Sequence, residues 1–415
     1  MPMTSLRLPS RLVAAAAFAS LGACSADRAP VSPLTATGAS ADKMEARGVF
    51  QRYVAIGTSI SMGWQSDGVF FGTQATSWPA QLAAMGGRTL SQPYINFPGC
   101  RSPLVAPLAT FIRLSGESAA ADPSTLSCAP LLPNVTLPVN NVAISGALTQ
   151  DALLTTPQST PDPLYSRVLQ PGMTQVSTMM ALNPKLVSVE LGGTDILGAR
   201  TGIAIPGVSI VPLQVWQPLY DQVLDSVQKV SQMAVLVGLI EDAANFPAFR
   251  RGAEMWNDRL EFAALNVAVN ADCNGSANLL FVPIKVAAAV AAGAQLAAQH
   301  LGPASLSCAA GGPTDQDLVL TPGELAIVDA QIHAMNAHIR SEATRRGLAY
   351  FELGALYDRS DLKPTFSVVT LMTSLTPYGP FISLDGIHPS AAGSTLLARA
   401  AAAALDETYH LGLQQ

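Results

Sequence analysis

The sequence predicts an α/β fold, a three-layer α/β/α sandwich around a central parallel sheet of about five strands. Short apolar runs alternate with longer helix-like stretches along most of the 415 residues. Most of these runs are continuously apolar, as in parallel strands that are buried on both faces. Apolar residue types make up 49% of the chain and charged types only 13%, which excludes a disordered chain and a coiled coil.

The charge balance excludes one class of partner. The chain has 23 basic and 29 acidic residues, a net charge of −6. Nucleic-acid binding needs a basic surface that releases counterions from phosphates, so we expect no nucleic-acid partner. The sequence contains no Cys-x-x-Cys and no His-Glu-x-x-His motif, so it gives no support for a zinc site and we predict no metal.

The first segment, residues 1–23, is typical of an export signal. Two arginines precede an apolar run that is too short to span a ~30 Å hydrocarbon core. The run ends in Leu21-Gly22-Ala23-Cys24, which resembles the lipobox of bacterial lipoproteins. The resemblance implies that Cys24 is lipidated and anchors an exported protein to the cell envelope, at either membrane. The alternative is an ordinary signal peptide with an incidental cysteine.

The rest of the chain is predicted to be a tether and one domain. Residues 24–50 are rich in Ala, Ser, Pro and Thr over most of their length, which favours a flexible tether. A single domain is then predicted over residues 51–410. Within it, residues 97–137 and 270–320 lack the strand–helix alternation, and we interpret them as insertions.

Besides Cys24 the chain has four cysteines, and an oxidising compartment makes two disulfides plausible. Three pairings are possible. We favour Cys100–Cys128 and Cys273–Cys308, because each pair brackets one Pro/Gly/Ser-rich stretch. Each disulfide would then cross-link one of the two insertions. The alternative is four free buried thiols.

Strands and helices follow in order along the domain. The clearest predicted helix is Pro322–Arg346, with a capping box between Thr321 and Glu324 and a stop at Gly347. A last helix begins at about Ser390. In an open parallel sheet the active site lies outside the carboxyl ends of the strands. The predicted strands are Tyr53–Gly57, Asn141–Ser145, Leu186–Leu191, Ala234–Ile240, Leu279–Ile284 and Leu348–Leu353.

A serine follows the first predicted strand. Gly57 allows the chain to leave the strand sharply, which puts Ser59 at the strand tip. A serine there is a nucleophile if a base reaches it. The alternative is a residue that caps a helix or turns the chain, which is the more common role of such serines.

An acid and a histidine stand three residues apart near the carboxyl end, in Asp385-Gly-Ile-His388. At that spacing the two side chains can share one side of a turn. Asp385 could then fix the tautomer of His388, whose other ring nitrogen would face a serine. The alternative is that His388 begins a helix and Asp385 is a local cap. The other four histidines are interpreted as surface residues: His300, His333, His338 and His410.

In this order, the serine motif and the Asp-x-x-His motif resemble those of the GDSL or SGNH hydrolases. Two further motifs of that family lie between them. A glycine after the second strand is matched by Gly146, and Gly-x-Asn-Asp after the third is matched by residues 192–195, which read Gly-Gly-Thr-Asp. The resemblance covers about residues 53–405 and implies a flavodoxin-like sandwich. It also implies a serine hydrolase that needs no metal or organic cofactor.

The resemblance assigns a role to each matching residue. Ser59 would be the nucleophile, His388 the base and Asp385 the residue that holds His388. The backbone N–H groups of Ser59 and Gly146 would stabilise the oxyanion. Thr194 stands where the family has an asparagine that donates to the oxyanion, so Thr194 is either a donor or the N-cap of the next helix.

A second departure from the family pattern is Thr58, which stands where the family usually has an aspartate before the nucleophile. That position is expected to be tolerant, because Ser59 and the backbone perform the chemistry. Asp195, the last residue of the Gly-Gly-Thr-Asp motif, is expected to organise its turn rather than to react.

The sequence leaves the substrate open. Trp64, Phe70 and Phe71 follow the nucleophile, and either line an apolar acyl pocket or belong to the core. The leading hypothesis is a hydrolase of lipid-like or short acyl esters. A carbohydrate acetyl esterase is an alternative and would need an open polar cleft. A non-catalytic surface-binding lipoprotein on the same fold is another, with Thr194 as its only positive evidence. The oligomeric state is not specified.

Overall fold

The central sheet is parallel and is formed by four of the predicted apolar runs. The computed structural model describes residues 38–119 and 127–413. The sheet has the strand order β1-β2-β3-β9, and every residue of β1 and β2 is buried. The strands are β1 Tyr53–Gly57, β2 Leu186–Glu190, β3 Met233–Gly238, β4 Phe249–Arg251, β5 Val267–Val269, β6 Leu279–Phe281, β7 Ala304–Leu306, β8 Val319–Leu320 and β9 Ala349–Glu352.

Helices separate most of these strands, as the apolar periodicity predicts. The longest, α13, begins at Pro322 and ends at Arg346, and Thr321 and Glu324 form the expected capping box. The helices are α1 Gly38–Phe50, α2 Ser59–Met62, α3 Phe71–Gln74, α4 Trp78–Met85, α5 Thr149–Leu154, α6 Pro163–Val168, α7 Gln175–Leu182, α8 Gly193–Leu197, α9 Leu213–Val230, α10 Gly252–Asn257, α11 Arg259–Ala264, α12 Val282–Ala298, α13 Pro322–Arg346, α14 Gly354–Tyr357, α15 Val368–Thr373 and α16 Ala391–Tyr409.

The predicted strand at residues 141–145 lies beside β1 as a fifth, edge segment. Val142 and Ile144 donate backbone hydrogen bonds to Ala55 and Gly57, at 2.9 and 3.1 Å. Counted with this segment, the sheet has the chain order 2-1-3-4-5, which is the flavodoxin-like order. The order reverses at β1, so the carboxyl ends of β1, β2 and the edge segment form the crevice where such sheets bind ligands.

Helices cover both faces of the sheet and complete the three layers. On one face α4, α14 and α16 pack together, with α16 against β3 and β9. On the other, α5, α7, α9 and α13 pack together, with α7 against β1 and α13 against β3. This arrangement confirms the predicted α/β/α sandwich.

One predicted strand and one predicted insertion are partly wrong. The run Leu279–Ile284 is a strand only as far as Phe281, in a small antiparallel sheet of order β4-β6-β8. The chain then turns into α12, with Pro283 in its first turn. Proline suits that position, and the alanine-rich run that follows has a high helix propensity. Residues 270–320 are therefore an insertion with its own helix and strands.

Both favoured disulfides are present. Cys100–Cys128 joins two segments of the first insertion, and Cys273–Cys308 joins two segments of the second. A covalent link in each insertion stabilises the fold, because it restricts the unfolded chain.

The amino-terminal part of the domain begins earlier than the sequence suggests. Residues 38–50 form α1, whereas we expected a tether as far as residue 50. Ala46, Val49 and Phe50 are buried, so this part of the segment is packed rather than flexible. The predicted export segment and Cys24 lie outside the described residues. Within the described part of the chain no helix has the length and apolar character needed to cross a membrane.

Candidate active site

The site is built around Ser59, which is the first residue of α2 and directly follows the tip of β1. Ser59 is 8% exposed. The chain passes closely over the end of the strand here: a Cβ on Gly57 would lie 2.7 Å from Ser61 Oγ and 3.0 Å from Glu190 Oε2. Glycine at residue 57 therefore lets the segment that carries Ser59 pack against the end of β2.

His388 and Asp385 face Ser59 from a turn just before α16. The distance from His388 Nε2 to Ser59 Oγ is 2.9 Å, and that from His388 Nδ1 to Asp385 Oδ2 is also 2.9 Å. All three side chains are buried. Ser59 and His388 are 329 positions apart in sequence, and His388 and Asp385 are three apart. The structure brings them together in a continuous series of hydrogen bonds from serine to histidine to aspartate.

The carboxylate of Asp385 is held from several directions. Its Oδ1 accepts from the backbone N–H groups of Ile387 and His388, and its Oδ2 also accepts from the N–H of Asp67 at 2.8 Å. Burial alone would raise the pKa of Asp385. The charge of His388 and these hydrogen bonds outweigh burial and lower the pKa to about 2. Asp385 is therefore an anion at neutral pH, and can orient His388.

The N–H of Asp67 is a contact that the sequence reasoning missed. Arg113 of the first insertion fixes Asp67: it bonds the carboxylate at 2.7 Å and the backbone carbonyl at 3.0 Å. The neighbouring Ser66 and Asp67 both have positive φ angles, near 55° and 57°. Through the buried Arg113, the first insertion thus holds Asp67, whose N–H donates to the carboxylate of Asp385. No local motif signals this contact, because Arg113 and Asp385 are far apart in sequence.

A second feature that the sequence reasoning missed is Glu190, at the end of β2. Its buried carboxylate accepts from the N–H of Thr58 at 3.0 Å, the hydroxyl of Thr58 at 2.8 Å and the N–H of Ser61 at 3.2 Å. No salt bridge to Glu190 is present within the described residues. Burial raises the pKa of Glu190, although these hydrogen bonds oppose the rise. Glu190 therefore holds Thr58 and Ser61, which lie before and after Ser59 in the chain.

Substitutions of Glu190 should separate its charge from its hydrogen bonds. Glu190→Ala leaves two buried N–H groups without an acceptor, and we expect it to lower the free energy of unfolding by about 3 kcal/mol. Glu190→Gln keeps an acceptor of the same size and removes the cost of burying a charge, so it should be at least as stable as the native protein at pH 8. Urea unfolding of both variants tests this. Equal stability of Ala and Gln variants would mean that these hydrogen bonds contribute nothing.

Gly146 ends the edge segment with a φ of +83°, and its backbone is exposed. Within the described residues neither the N–H of Gly146 nor the N–H of Ser59 has a hydrogen-bond partner. Two unpaired N–H groups therefore follow the two adjacent strand ends. Such groups are the usual donors to a developing oxyanion.

Thr194 is the second residue of α8, and the N-cap of that helix is Gly192. The interpretation of Thr194 as an N-cap is therefore wrong. Its hydroxyl has no hydrogen-bond partner in the described part of the chain, and it lines the same cavity as Ser59 and His388. Asp195 links α8 to the start of α5, rather than only its own turn: its carboxylate accepts from the N–H and the hydroxyl of Thr149, and burial raises its pKa to about 6.

A cavity of about 60 Å³ opens beside Ser59 and His388. Trp64, Phe70 and Phe71 are not among its lining residues, so they do not form the pocket as we had considered. The lining comes largely from α8, the turn after it and the chain after β3, with further side chains from β8 and α13. These segments are distant from Ser59 in sequence, so patterns near Ser59 do not reveal them. Apolar side chains dominate it, among them Ile60, Ile196, Leu197, Leu239, Phe246 and Phe249.

Two groups of metal-ligating side chains occur within the described residues, and neither lines the cavity. One combines Asp272 with the second disulfide, whose sulfurs are not thiolates. The other combines Asp221, His338 and Glu342. Hydrogen bonds from two arginines lower the pKa of Glu342 to about 2, so its charge is already compensated.

Comparison with known proteins yields only distant structural similarities. No family model and no curated protein matches the chain. A variant of an acetyl-xylooligosaccharide esterase from Geobacillus is 12% identical with a TM-score of 0.36, over 85% of this chain and 93% of that one. An extracellular lipase from Streptomyces rimosus is 14% identical with a TM-score of 0.36, over 84% and 98%. Scores of this size carry no conclusion about activity, which is inferred from the site itself.

Proposed function

We propose that the protein is a serine hydrolase of carboxylic esters, of the GDSL or SGNH type. The observation that carries the proposal is the hydrogen-bond chain Ser59–His388–Asp385, with 2.9 Å at each link, beside an apolar cavity. A serine, a histidine and an anionic carboxylate in this order activate the serine for attack on a carbonyl.

In the proposed mechanism, Ser59 Oγ forms a bond to the ester carbonyl carbon while its proton moves to His388 Nε2. Asp385 stabilises the resulting imidazolium. The oxyanion accepts from the N–H groups of Ser59 and Gly146. Its collapse breaks the bond to the alcohol, which leaves with the proton from His388. Water then attacks the acyl-enzyme with His388 as its base, and Ser59 is regenerated.

The hydroxyl of Thr194 is proposed as a third, weak donor to the oxyanion. Thr194→Asn supplies a longer donor, so we expect kcat to rise by about tenfold, within the ~10²–10³ that one such donor is worth. The measurement is kcat for 4-nitrophenyl butyrate, with Thr370→Asn, at an exposed residue outside the cavity lining, as the matched control. An unchanged kcat would mean that Thr194 takes no part in the oxyanion hole.

The apolar lining favours an acyl group over an acetylated carbohydrate, since a sugar-binding cleft would present polar side chains. About 10–15 Å³ holds one water-sized group, so 60 Å³ accommodates roughly four to six groups of methylene size. We therefore expect the highest kcat/KM for acyl chains of about four to six carbons.

Hydrolysis of 4-nitrophenyl acetate, butyrate, hexanoate and decanoate by residues 38–415 tests this proposal. We expect a maximum at butyrate or hexanoate. Leu239→Ala should enlarge the cavity and shift the maximum to longer chains, whereas the exposed Leu260→Ala should not. A preference for acetate in all three proteins would favour the acetyl esterase alternative, and no hydrolysis of any ester would favour a binding protein.

We also propose export and lipid anchoring through Cys24. The two disulfides support export, because such bonds persist mainly in oxidising compartments. Cell fractionation of a Cys24→Ser variant tests the anchor. Release from the membrane fraction is the expected result, and unchanged membrane association would contradict it.

A further inference from the structure

Arg200 lies in the turn after α8 and lines the same cavity as Ser59 and Thr194. Its side chain is partly buried. Within the described residues its guanidinium has one hydrogen bond, from Nη1 to the carbonyl of Leu197 at 3.3 Å. A guanidinium carries five N–H donors, so most of the donors of Arg200 have no partner in the described part of the chain.

No acidic side chain compensates Arg200. Within the described residues no carboxylate oxygen lies within 4.0 Å of its guanidinium. Asp67 is the acid whose charge acts on it, but Asp67 is already bonded to Arg113 at 2.7 Å. Burial lowers the pKa of Arg200, and Asp67 only partly opposes this effect. A partly buried cation without an acidic partner is costly for the fold.

A second arginine adds positive charge to the same region. The guanidinium of Arg101 lies 5.8 Å from the ring centroid of Trp64, and the Trp64 ring lies 6.5 Å from that of His388. The charge of Arg101 also lowers the pKa of Arg200, so the two cations are close enough to repel each other. Arg101 forms no salt bridge within the described residues.

The rest of the cavity offers nothing to compensate these charges. Most of its lining is apolar. The acidic residue in the lining, Glu190, already accepts hydrogen bonds from Thr58 and Ser61. An anion from outside the chain would remove the cost of the unpaired guanidinium. Guanidinium groups match carboxylates and phosphates in particular, because parallel N–H groups bond two oxygens at once.

We propose that Arg200, with Arg101 beside it, forms an anion-binding subsite of the cavity, and that the ester substrate carries a carboxylate or a phosphate. This inference rests on the proposed function. The anion can belong to the acyl group or to the alcohol. Either source presents anionic oxygens to the guanidinium of Arg200, so substrates must separate them.

Two matched pairs of esters test the subsite. In the first, mono-4-nitrophenyl adipate carries a carboxylate on a six-carbon acyl group, and 4-nitrophenyl hexanoate is its neutral partner. In the second, 1-hexanoylglycerol 3-phosphate carries a phosphate on the alcohol, and 1-hexanoylglycerol is its neutral partner. For each pair the readout is the ratio of kcat/KM for the anionic ester to that for the neutral ester.

We expect Arg200→Gln to lower this ratio by about tenfold to a hundredfold in one of the pairs, the usual worth of a hydrogen bond to a charged group. Arg200→Lys keeps the positive charge but loses the parallel N–H donors of the guanidinium, so it should lower the ratio less than Arg200→Gln does. Arg101→Gln should also lower the ratio only partially. Arg52→Gln, an exposed arginine at the opposite end of β1, is the matched control and should leave the ratio unchanged. If Arg200→Gln does not fold, the Lys and Arg101 variants carry the test.

An equal ratio in the native protein and all Arg200 and Arg101 variants, for both pairs, would overturn the subsite while the neutral esters are still hydrolysed. The proposed function would survive that result. Failure of the native protein to hydrolyse any of the four esters would instead reject the proposed function, and the subsite with it.

Discussion

Replacement of Ser59 with alanine is expected to reduce kcat for 4-nitrophenyl butyrate by about 10⁶-fold, the usual cost of losing the nucleophile of such a triad. The reason is that the substitution removes the hydroxyl oxygen that lies 2.9 Å from His388 Nε2. The binding of substrate should change little, because the apolar lining of the cavity is intact. KM is therefore expected to stay within a fewfold of the native value.

The matched control for this prediction is Ser226→Ala, which removes a half-buried hydroxyl that donates to the carbonyl of Gln222 within α9. It should hydrolyse the ester at the native rate. Comparable activity of Ser59→Ala and the native protein would mean that another residue, or none, attacks the ester.

Replacement of Asp385 with asparagine is expected to lower kcat by about 10⁴-fold. The amide would donate to His388 Nδ1, which leaves the remaining ring proton on Nε2, facing Ser59. In that tautomer His388 cannot accept the proton of the serine. Asparagine also has one oxygen where Asp385 uses two, so the N–H of Asp67 or those of Ile387 and His388 would lose their acceptor.

The control is a second Asp–His pair in the same protein. Asp221 Oδ1 lies 2.8 Å from His338 Nε2, away from the cavity. Asp221→Asn should leave kcat unchanged. If Asp385→Asn retained most of the native kcat, His388 would not depend on Asp385 for its tautomer.

The pH dependence of stability follows from the pKa of Asp385. The pKa is lowered from 3.8 to about 2 in the folded protein, so the ionised carboxylate stabilises the fold above the unfolded-state value of about 3.8. This contribution is lost as the pH falls from about 4 to 2. Activity lost between pH 4 and 7 would therefore report a group other than Asp385.

The sequence predicts the parts of the fold that depend on local patterns. The buried strands, the capped helix α13 and the order of the serine and histidine motifs all follow from runs of residues that are close in the chain. Both disulfides also follow from the Pro/Gly/Ser-rich stretch that lies between the two cysteines of each pair. The structure confirms these predictions, and it brings Ser59, His388 and Asp385 within hydrogen-bonding distance.

The features that the sequence misses depend on contacts between distant segments. Glu190 reads as part of an apolar strand, and only the packing of β1 on β2 places its carboxylate under the segment that carries Ser59. Arg200 belongs to no motif of the sequence, and only the fold places it in the lining of the cavity. The predicted tether extends too far because it applies the composition of the preceding residues to residues 38–50, which contain no proline or threonine. Burial of Val49 and Phe50 decides their structure.

The central claim is that His388 and Asp385 make Ser59 a nucleophile. Reaction with a fluorophosphonate, followed by mass spectrometry of the intact protein and its peptides, tests this claim most directly. One equivalent of phosphonyl adduct on Ser59 is expected, with no adduct on Ser59→Ala and much slower labelling of Asp385→Asn. Labelling of another residue, or no labelling of the folded native protein, would contradict the claim.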